Sequence, residues 1–428
     1  MQTVFDAIIV GAGPAGASAA ILLANAGWSV CLIEKQTFPR RKVCGECVAA
    51  SNLPLLDALG VGADFMRLAG PALRRVALMH GARTVMADLP AAPAAALQAA
   101  SVHPWGHALG RETLDALLVA RARALGVAVL QPASVLRLGG APGQQRCTVR
   151  DGATGRLQML RSRVAILAHG SWEPLPAARA VQRLARNGSD LLAFKATFEG
   201  ASLAAGLLPV LAFEGGYGGL VLADRGQLTL ACCIRADRLD ALRRARPGLA
   251  AGDVVQAMLQ RACVGVAQAL YGASRCGGWL ASGPLRPGVR LRADDTVFRI
   301  GNAAGEAHPI IGEGISMALQ SAWLLCDALL SAVPGQAWHA DVATRYTAAW
   351  RRHFVPRLRL AAVLAHLTMR PATASALLTL VARWPALLTQ VAVFGGKLRC
   401  APDAATVHAL APARGAPKQH TTIVGEST

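Results

Sequence analysis

The stretch VFDAIIVGAGPAGASAAILLANAGWSVCLIEK, residues 4–35, constrains this chain more than any other. An apolar run from Val4 to Val10 leads directly into Gly11-Ala12-Gly13-Pro14-Ala15-Gly16. An alanine-rich helical segment then closes at Gly27, and a second apolar run, Trp28 to Ile33, ends at Glu34 and Lys35. Strand, glycine turn, helix and strand in this order predict a βαβ unit that binds a dinucleotide. Gly11 permits the tight turn, Gly13 lets the backbone approach a pyrophosphate, and Gly16 lets the helix lie close on the strand. The helix N-terminus offers free N–H groups and the positive end of its dipole to the phosphates. Glu34, 23 residues beyond Gly11, is spaced to accept ribose hydroxyls; Ala15 and Lys35 complete the candidate contacts.

A second glycine-rich helix start lies far along the chain, in TVFRIGNAAGEAHPIIGEGISMALQSAWLLCDALL. A short strand over 296–300 runs into Gly301-Asn302, and Gly312-Glu313-Gly314 opens a long helix with apolar spacing at Ile315, Leu319, Ala322 and Leu325. Two such starts suggest a cofactor held at both ends. The second dipole would stabilise a group that becomes negative, as the N1/C2=O edge of a flavin does on reduction.

These motifs resemble the flavoprotein hydroxylases and their relatives, the geranylgeranyl-reductase-like oxidoreductases and flavin halogenases. The family's late motif matches Gly301, Asn302, Pro309, Gly312, Gly314 and Ile315, and its arginine before a leucine-rich helix matches Arg111 in GRETLDALLVARARALGV. The resemblance implies an α/β fold: a Rossmann-type FAD-binding domain with an inserted β-sheet substrate domain and a helical C-terminal region. It implies FAD as cofactor and NAD(P)H as electron donor. Three departures stand out. Asn302 replaces the family's ribityl-binding Asp, His169-Gly170 replaces its Asp-Gly, and the halogenase lysine and Trp-x-Trp-x-x-Pro signatures are not visible.

The interleaving expected of such a fold gives an FAD domain from 1–75, 105–175 and 280–332, and a substrate domain from 76–104 and 176–279. LLAFKATFEG at 191–200 reads as a strand, and 218–234 as a hairpin turning at Asp224-Arg225-Gly226. Gly215 to Gly219 reads either as a close backbone approach over substrate or as a bulged turn. Residues 333–400 are expected to be helical and 401–428 to form a loose tail.

Composition narrows the partners. The formal charge of +19 suits anions, yet the arginines are scattered and no nucleic-acid motif appears. Ten irregularly spaced cysteines make no disulfide framework. The first residues lack a basic signal-peptide region, so a cytoplasmic chain is expected. No apolar run is long enough to span a bilayer, but the arginine-flanked segments 372–382 and 384–396 are candidates for peripheral contact with the membrane's inner face, or for core helices. Nothing in the sequence specifies an oligomeric state.

RRKVCGECVAAS at 40–51 poses a separate question. Zinc needs about four ligands and no second Cys-x-x-Cys exists, and His103 and His107 lack a third ligand, so no metal is expected. A redox dithiol remains an alternative, although such pairs accompany a separate NAD domain that this chain lacks. The positional reading sets Arg41 and Lys42 near the cofactor's anionic groups and uses Gly45 for close approach. The resemblance matches Cys44 to a cysteine of the reductase-like subgroup, facing ring or substrate. Cys44 and His308 are the candidate catalytic residues, His308 as a general acid or as a loop hydrogen-bonder. The expected function is FAD-dependent monooxygenation of a hydrophobic, aromatic or polyketide-like small molecule. The alternative is reduction of an isoprenoid-type double bond.

Overall fold

The strand Val4–Val10 sits at the centre of the first sheet because both its faces are apolar, as a parallel strand covered on two sides must be. It pairs in parallel with Val30–Ile33 on one side and with the end of Leu157–Leu167 on the other. Ala128–Leu130 extends the sheet beyond Val30–Ile33, and Phe298–Arg299 adds to Leu157–Leu167, again in parallel. The long Leu157–Leu167 strand also turns back through Gln144–Asp151 and Ala133–Ala141 as an antiparallel meander. This computed structural model describes residues 4–92, 103–171, 187–292, 296–333, 335–398 and 400–410.

The helices Pro14–Asn25, Arg111–Ala124 and Gly314–Leu330 pack on one face of that sheet. The first and third are almost wholly apolar and buried, which is why they lie at the core of the domain.

A second sheet runs in the order Ser274–Arg275, Leu191–Glu199, Leu228–Arg235, Gly216–Leu222, Leu207–Phe213, Arg75–His80, Arg83–Asp88. The expected hairpin is present: Gly216–Leu222 pairs antiparallel with Leu228–Arg235 across the turn at Asp224–Gly226. Gly216 and Gly218 belong to a regular central strand rather than a bulge. A Cβ on Gly216 would stand 2.3 Å from the Phe213 ring, and one on Gly218 2.7 Å from the Ala231 carbonyl. Only Gly215, at φ +75°, is a turn residue.

Two expectations need correction. Leu280–Leu285, assigned from sequence to the FAD domain, pairs with Leu191–Glu199 in the second sheet, its proline kept to an edge where no ladder N–H is needed. Residues Ala404–Leu410, expected in the loose tail, form a helix whose Val407 and Leu410 pack on the main core. The rest of the expected tail, 411–428, lies outside the described residues. The C-terminal helices Trp338–Thr368, Pro371–Arg383 and Ala386–Ala392 follow one another, and the chain then makes a wide turn over Val393–Lys397.

Candidate flavin site

At the first glycine turn the backbone allows no side chains. Gly11 has φ +103° and a Cβ there would lie 2.5 Å from the Ala168 carbonyl oxygen; one on Gly16 would lie 1.9 Å from the oxygen of Gly11. Gly13 differs. The nearest atoms to its missing Cβ are guanidinium nitrogens of Arg111 at 3.5 Å and Arg40 at 4.0 Å. The helix beginning at Pro14 has neither a side-chain cap nor an acid in its first turn, so its N–H groups remain for a ligand.

The cations around Gly13 are only partly balanced. Arg111 donates from Nε and Nη2 to the buried Asp115 carboxylate at 2.8 and 2.7 Å. Burial opposes the Arg111 charge, but Asp115 more than offsets it and holds its pKa above the ordinary value. Arg40 stands 3.5 Å from Glu34 and 3.7 Å from Asp115. Lys42 is pushed down to about 8 by loss of water and by the neighbouring Arg111 and Arg40. Three cations against two carboxylates leave room for an anion, and the space over Gly13 is where a pyrophosphate fits. Glu34 is buried; its Oε2 accepts from the Ala12 N–H and its Oε1 from the Gln36 N–H, each at 3.0 Å. Lys35 is exposed, and Ala15 is buried against Gly301.

The second half of the site meets the first at that contact. Gly301, at φ +57°, donates its N–H to Ser321 Oγ at 2.8 Å. Asn302 donates from Nδ2 to Ser171 at 2.9 Å, Ser171 donates to Glu306 at 2.7 Å, and Arg290 donates to Glu306 at 2.9 Å and to the Asn302 carbonyl at 2.6 Å. His169 is nearby in charge as well as sequence. Its pKa is lowered to about 4 by burial and then by Arg299, Arg290 and Lys42, and its buried Nδ1 has no partner among the described residues. Gly312 takes φ +64°, and Gly314 opens the next helix without a cap or a first-turn acid. A Cβ on Gly314 or on Gly45 would meet nothing within 4 Å, whereas Ile315 is buried. The cationic cradle, the orphaned imidazole nitrogen and these open glycine faces fit FAD stretched between the two helix starts.

The structure moves one expected contact. Arg41 turns away from the cradle, its guanidinium 3.5 Å from the carbonyls of Cys276 and Gly278, and Arg40 takes the inward place. The basic triplet signalled the cluster but not which members face inward, because that depends on the backbone path after Glu34.

Cys44 is half-buried beside Arg111, and its Sγ accepts from the Glu46 N–H at 3.3 Å. Cys47 is buried in apolar surroundings with its thiol pushed up to about 12, chiefly by burial. Both are free thiols, and a thiol so raised is a poor nucleophile.

Glu46, between the two cysteines, escaped the sequence reading. It is buried at φ +60° and forms an ion pair with Lys195, accepts from Thr229 Oγ1 at 2.5 Å, and accepts from the Arg111 N–H at 3.1 Å. It thereby joins the 40–51 segment to the strands Leu191–Glu199 and Leu228–Arg235. His308 is buried, with its pKa lowered to about 4 by burial and by His366, so its imidazole is neutral near pH 7. Its Nδ1 is hydrogen-bonded to the buried Tyr217 hydroxyl at 3.1 Å. Outside this row, a cavity of about 370 Å³ opens between His366, Arg370, Arg235 and Arg238, whose Arg235 and Arg238 charges are met by Asp237 and Glu214.

Residues 4–205 match the family model of the FAD binding domain. The match makes the first half of the chain similar to an FAD binding domain. Among solved structures it is similar to the myxobacterial chondrochloren halogenase CndH, at 17% identity and TM-score 0.70 over 96% of each chain. It is also similar to a geranylgeranyl bacteriochlorophyll reductase-like protein of Thermoplasma acidophilum, at 16% identity and TM-score 0.69 over 96% of each chain. A stretch of 68 residues is 44% identical to menaquinone reductase of Mycobacterium tuberculosis, covering 15% of this chain and 17% of that protein. At these identities the structures speak for the fold alone.

Proposed function

We propose that the protein is a FAD-dependent monooxygenase that acts on a hydrophobic small molecule and takes electrons from NAD(P)H. One observation carries this reading. An apolar cluster of Leu191, Ala193, Tyr217 and Cys233 on the second sheet meets Val43 from the segment after Glu34 and Ile310 from the loop before Gly314. Were FAD bound between the two helix starts, this cluster would give its pocket an apolar wall, with the hydrogen-bonded pair Tyr217 and His308 to orient an oxygen or nitrogen of the substrate.

Arg40, Lys42, Arg111 and the Pro14 helix would hold the pyrophosphate, Glu34 the ribose, and Asn302 the ribityl chain. When bound, FAD supplies two-electron transfer and, once reduced, reactivity towards oxygen. The residues supply the rest. With FAD bound, the apolar sheet face would exclude water and the Gly314 helix would offer it the positive end of its dipole, while neutral His308 holds Tyr217 in one orientation.

A second reading has specific support. The menaquinone reductase match and the Lys42-Val43-Cys44-Gly45 stretch favour reduction of an isoprenoid-type double bond, with Cys44 beside the substrate. Turnover of a panel of alkylated phenols and polyprenyl quinones under ¹⁸O₂ separates the two. Label in the product supports monooxygenation. Anaerobic turnover that yields a saturated, unlabelled product refutes it in favour of the reductase.

A further inference from the structure

The helices Pro371–Arg383 and Ala386–Lys397 are apolar and bend by 110° at a short break. Their inner stripe is accounted for: Ala374 and Leu378 pack on Leu78 and Ala212 of the second sheet. The outer stripe is not. Leu380 is 44% exposed, Trp384 54%, Leu387 37% and Phe394 57%, a concentration of large apolar side chains unlike the scattered exposure normal for a surface. No Asp or Glu occurs between Asp341 and Asp403, although the chain carries 25 such residues. The same interval presents exposed Arg351, Arg352, Arg359, Arg370 and Arg383.

We infer that this face is a docking surface for an anionic phospholipid bilayer. Stable attachment of a peripheral helix takes two signals, buried apolar side chains and basic residues against acidic headgroups, and this segment supplies both. The charge asymmetry selects the occupant. A second copy of this chain, at a formal charge of +19, would meet these arginines with like charge, whereas an anionic lipid surface attracts them, accepts the apolar stripe and repels every carboxylate.

The bend also fixes the membrane-facing element to the flavin motif. Past Phe394 the chain enters the protein, where Lys397 Nζ donates to the Gly312 carbonyl at 3.3 Å and pairs with buried Glu313 at 2.8 Å. Ser51 donates to the Gly396 carbonyl at 3.4 Å, and Gly396 takes φ +116° against Arg357. Ten residues separate Trp384 from Phe394, and the latter is two residues from that lock. The flavin motif therefore sits at the lipid boundary, from which a hydrophobic substrate would approach.

The test is flotation of the FAD-loaded protein with vesicles, read without substrate. Vesicles of phosphatidylcholine with about a third phosphatidylglycerol should carry the protein up, with a blue shift in tryptophan emission that Trp384→Phe removes. Salt near 1 M, where the Debye length is about 3 Å, should release it. Trp384→Ser with Leu387→Ser should abolish flotation while leaving FAD content and Tm unchanged, and Arg370→Gln or Arg383→Gln should each weaken binding about fivefold. Failure to float, or equal binding to pure phosphatidylcholine, overturns the inference. So does a dimer in light scattering that Trp384→Ser dissolves, since a second copy would then own the face.

Discussion

Lys195→Met tests whether the 40–51 segment is held to the second sheet through Glu46. Both side chains are buried, so the substitution removes a charge from an ion pair and leaves a carboxylate in a low-dielectric site. Breaking a buried pair in this way costs about 3–5 kcal/mol. Glu46 would keep two donors, the Thr229 hydroxyl and the Arg111 N–H, which sets the expectation at the lower end, about 3 kcal/mol. With an unfolding entropy of about 2.1 cal/mol/K per residue, a 428-residue chain loses about 1 °C of Tm per kcal/mol, so a fall of about 3 °C is expected. Differential scanning calorimetry of the FAD-loaded protein measures it. The decisive comparison is the pair Lys195→Met with Glu46→Gln, which removes both charges and should be no less stable than Lys195→Met alone. An unchanged Tm for Lys195→Met, or strictly additive losses in the pair, would refute the coupling.

Gly16→Ala should yield a chain without FAD, because a Cβ 1.9 Å from the Gly11 oxygen forces the turn open; Gly13→Val should fold but lose FAD, because its side chain enters the space between Arg40 and Arg111. Flavin absorbance against protein concentration reads both, and a yellow Gly13→Val at full stoichiometry would count against the pyrophosphate lying there. Lys42 titrates near 8 in the folded chain against 10.5 unfolded, so its charge costs the FAD-free protein stability in full below pH 8, a cost relieved as pH rises towards 10.5. Bound FAD raises that pKa, so binding should take up a proton above pH 8 and weaken with rising pH; calorimetry in buffers of differing ionisation enthalpy should show the uptake, and Lys42→Met should lose it. Cys47→Ser should change turnover little, since its thiol is protonated and packed, whereas Cys44→Ser beside Arg111 should keep FAD and alter turnover; reducing equivalents beyond the flavin's own, lost in both variants, would instead establish a dithiol.

What could be read from the sequence was what is local along the chain. The turn at Gly11 to Gly16, the helix after it and the strand ending at Glu34 lie within about 30 consecutive residues, where Gly11 and Gly16 each have a steric reason. The hairpin at Asp224 announced itself for the same reason. Gly216 and Gly218 did not, because their cause is Phe213 and Ala231 on neighbouring strands, and register must be known before those neighbours are. Tyr217 carries no local signal, because its partner His308 lies 91 residues away. Glu46 carries no local signal either, although it stands between two cysteines. Its meaning depends on a left-handed backbone and on Lys195, 149 residues distant.

The same distinction explains why the two helix starts matter more than any single residue in the site. Most helix ends satisfy their first N–H groups with a side-chain cap or draw an acid into the first turn, because orphan donors and a positive dipole end are costly to leave bare. The helices at Arg111, Ala236 and Ala251 carry Glu112, Asp237 and Asp253 in that position. The helices at Pro14 and Gly314 have no side-chain cap bond and no acid in the first turn, a trait shared with those at Leu53, Val264, Pro371 and Ala386; Gly13 stands at the cap of the first, and at the cap of the second Glu313 is drawn to Lys397. In the first, Arg40, Lys42 and Arg111 add further positive charge where a free chain would be better served by less. The Pro14 end thus combines bare N–H groups, a glycine cap and surplus positive charge, which is what a ligand bringing its own phosphates requires.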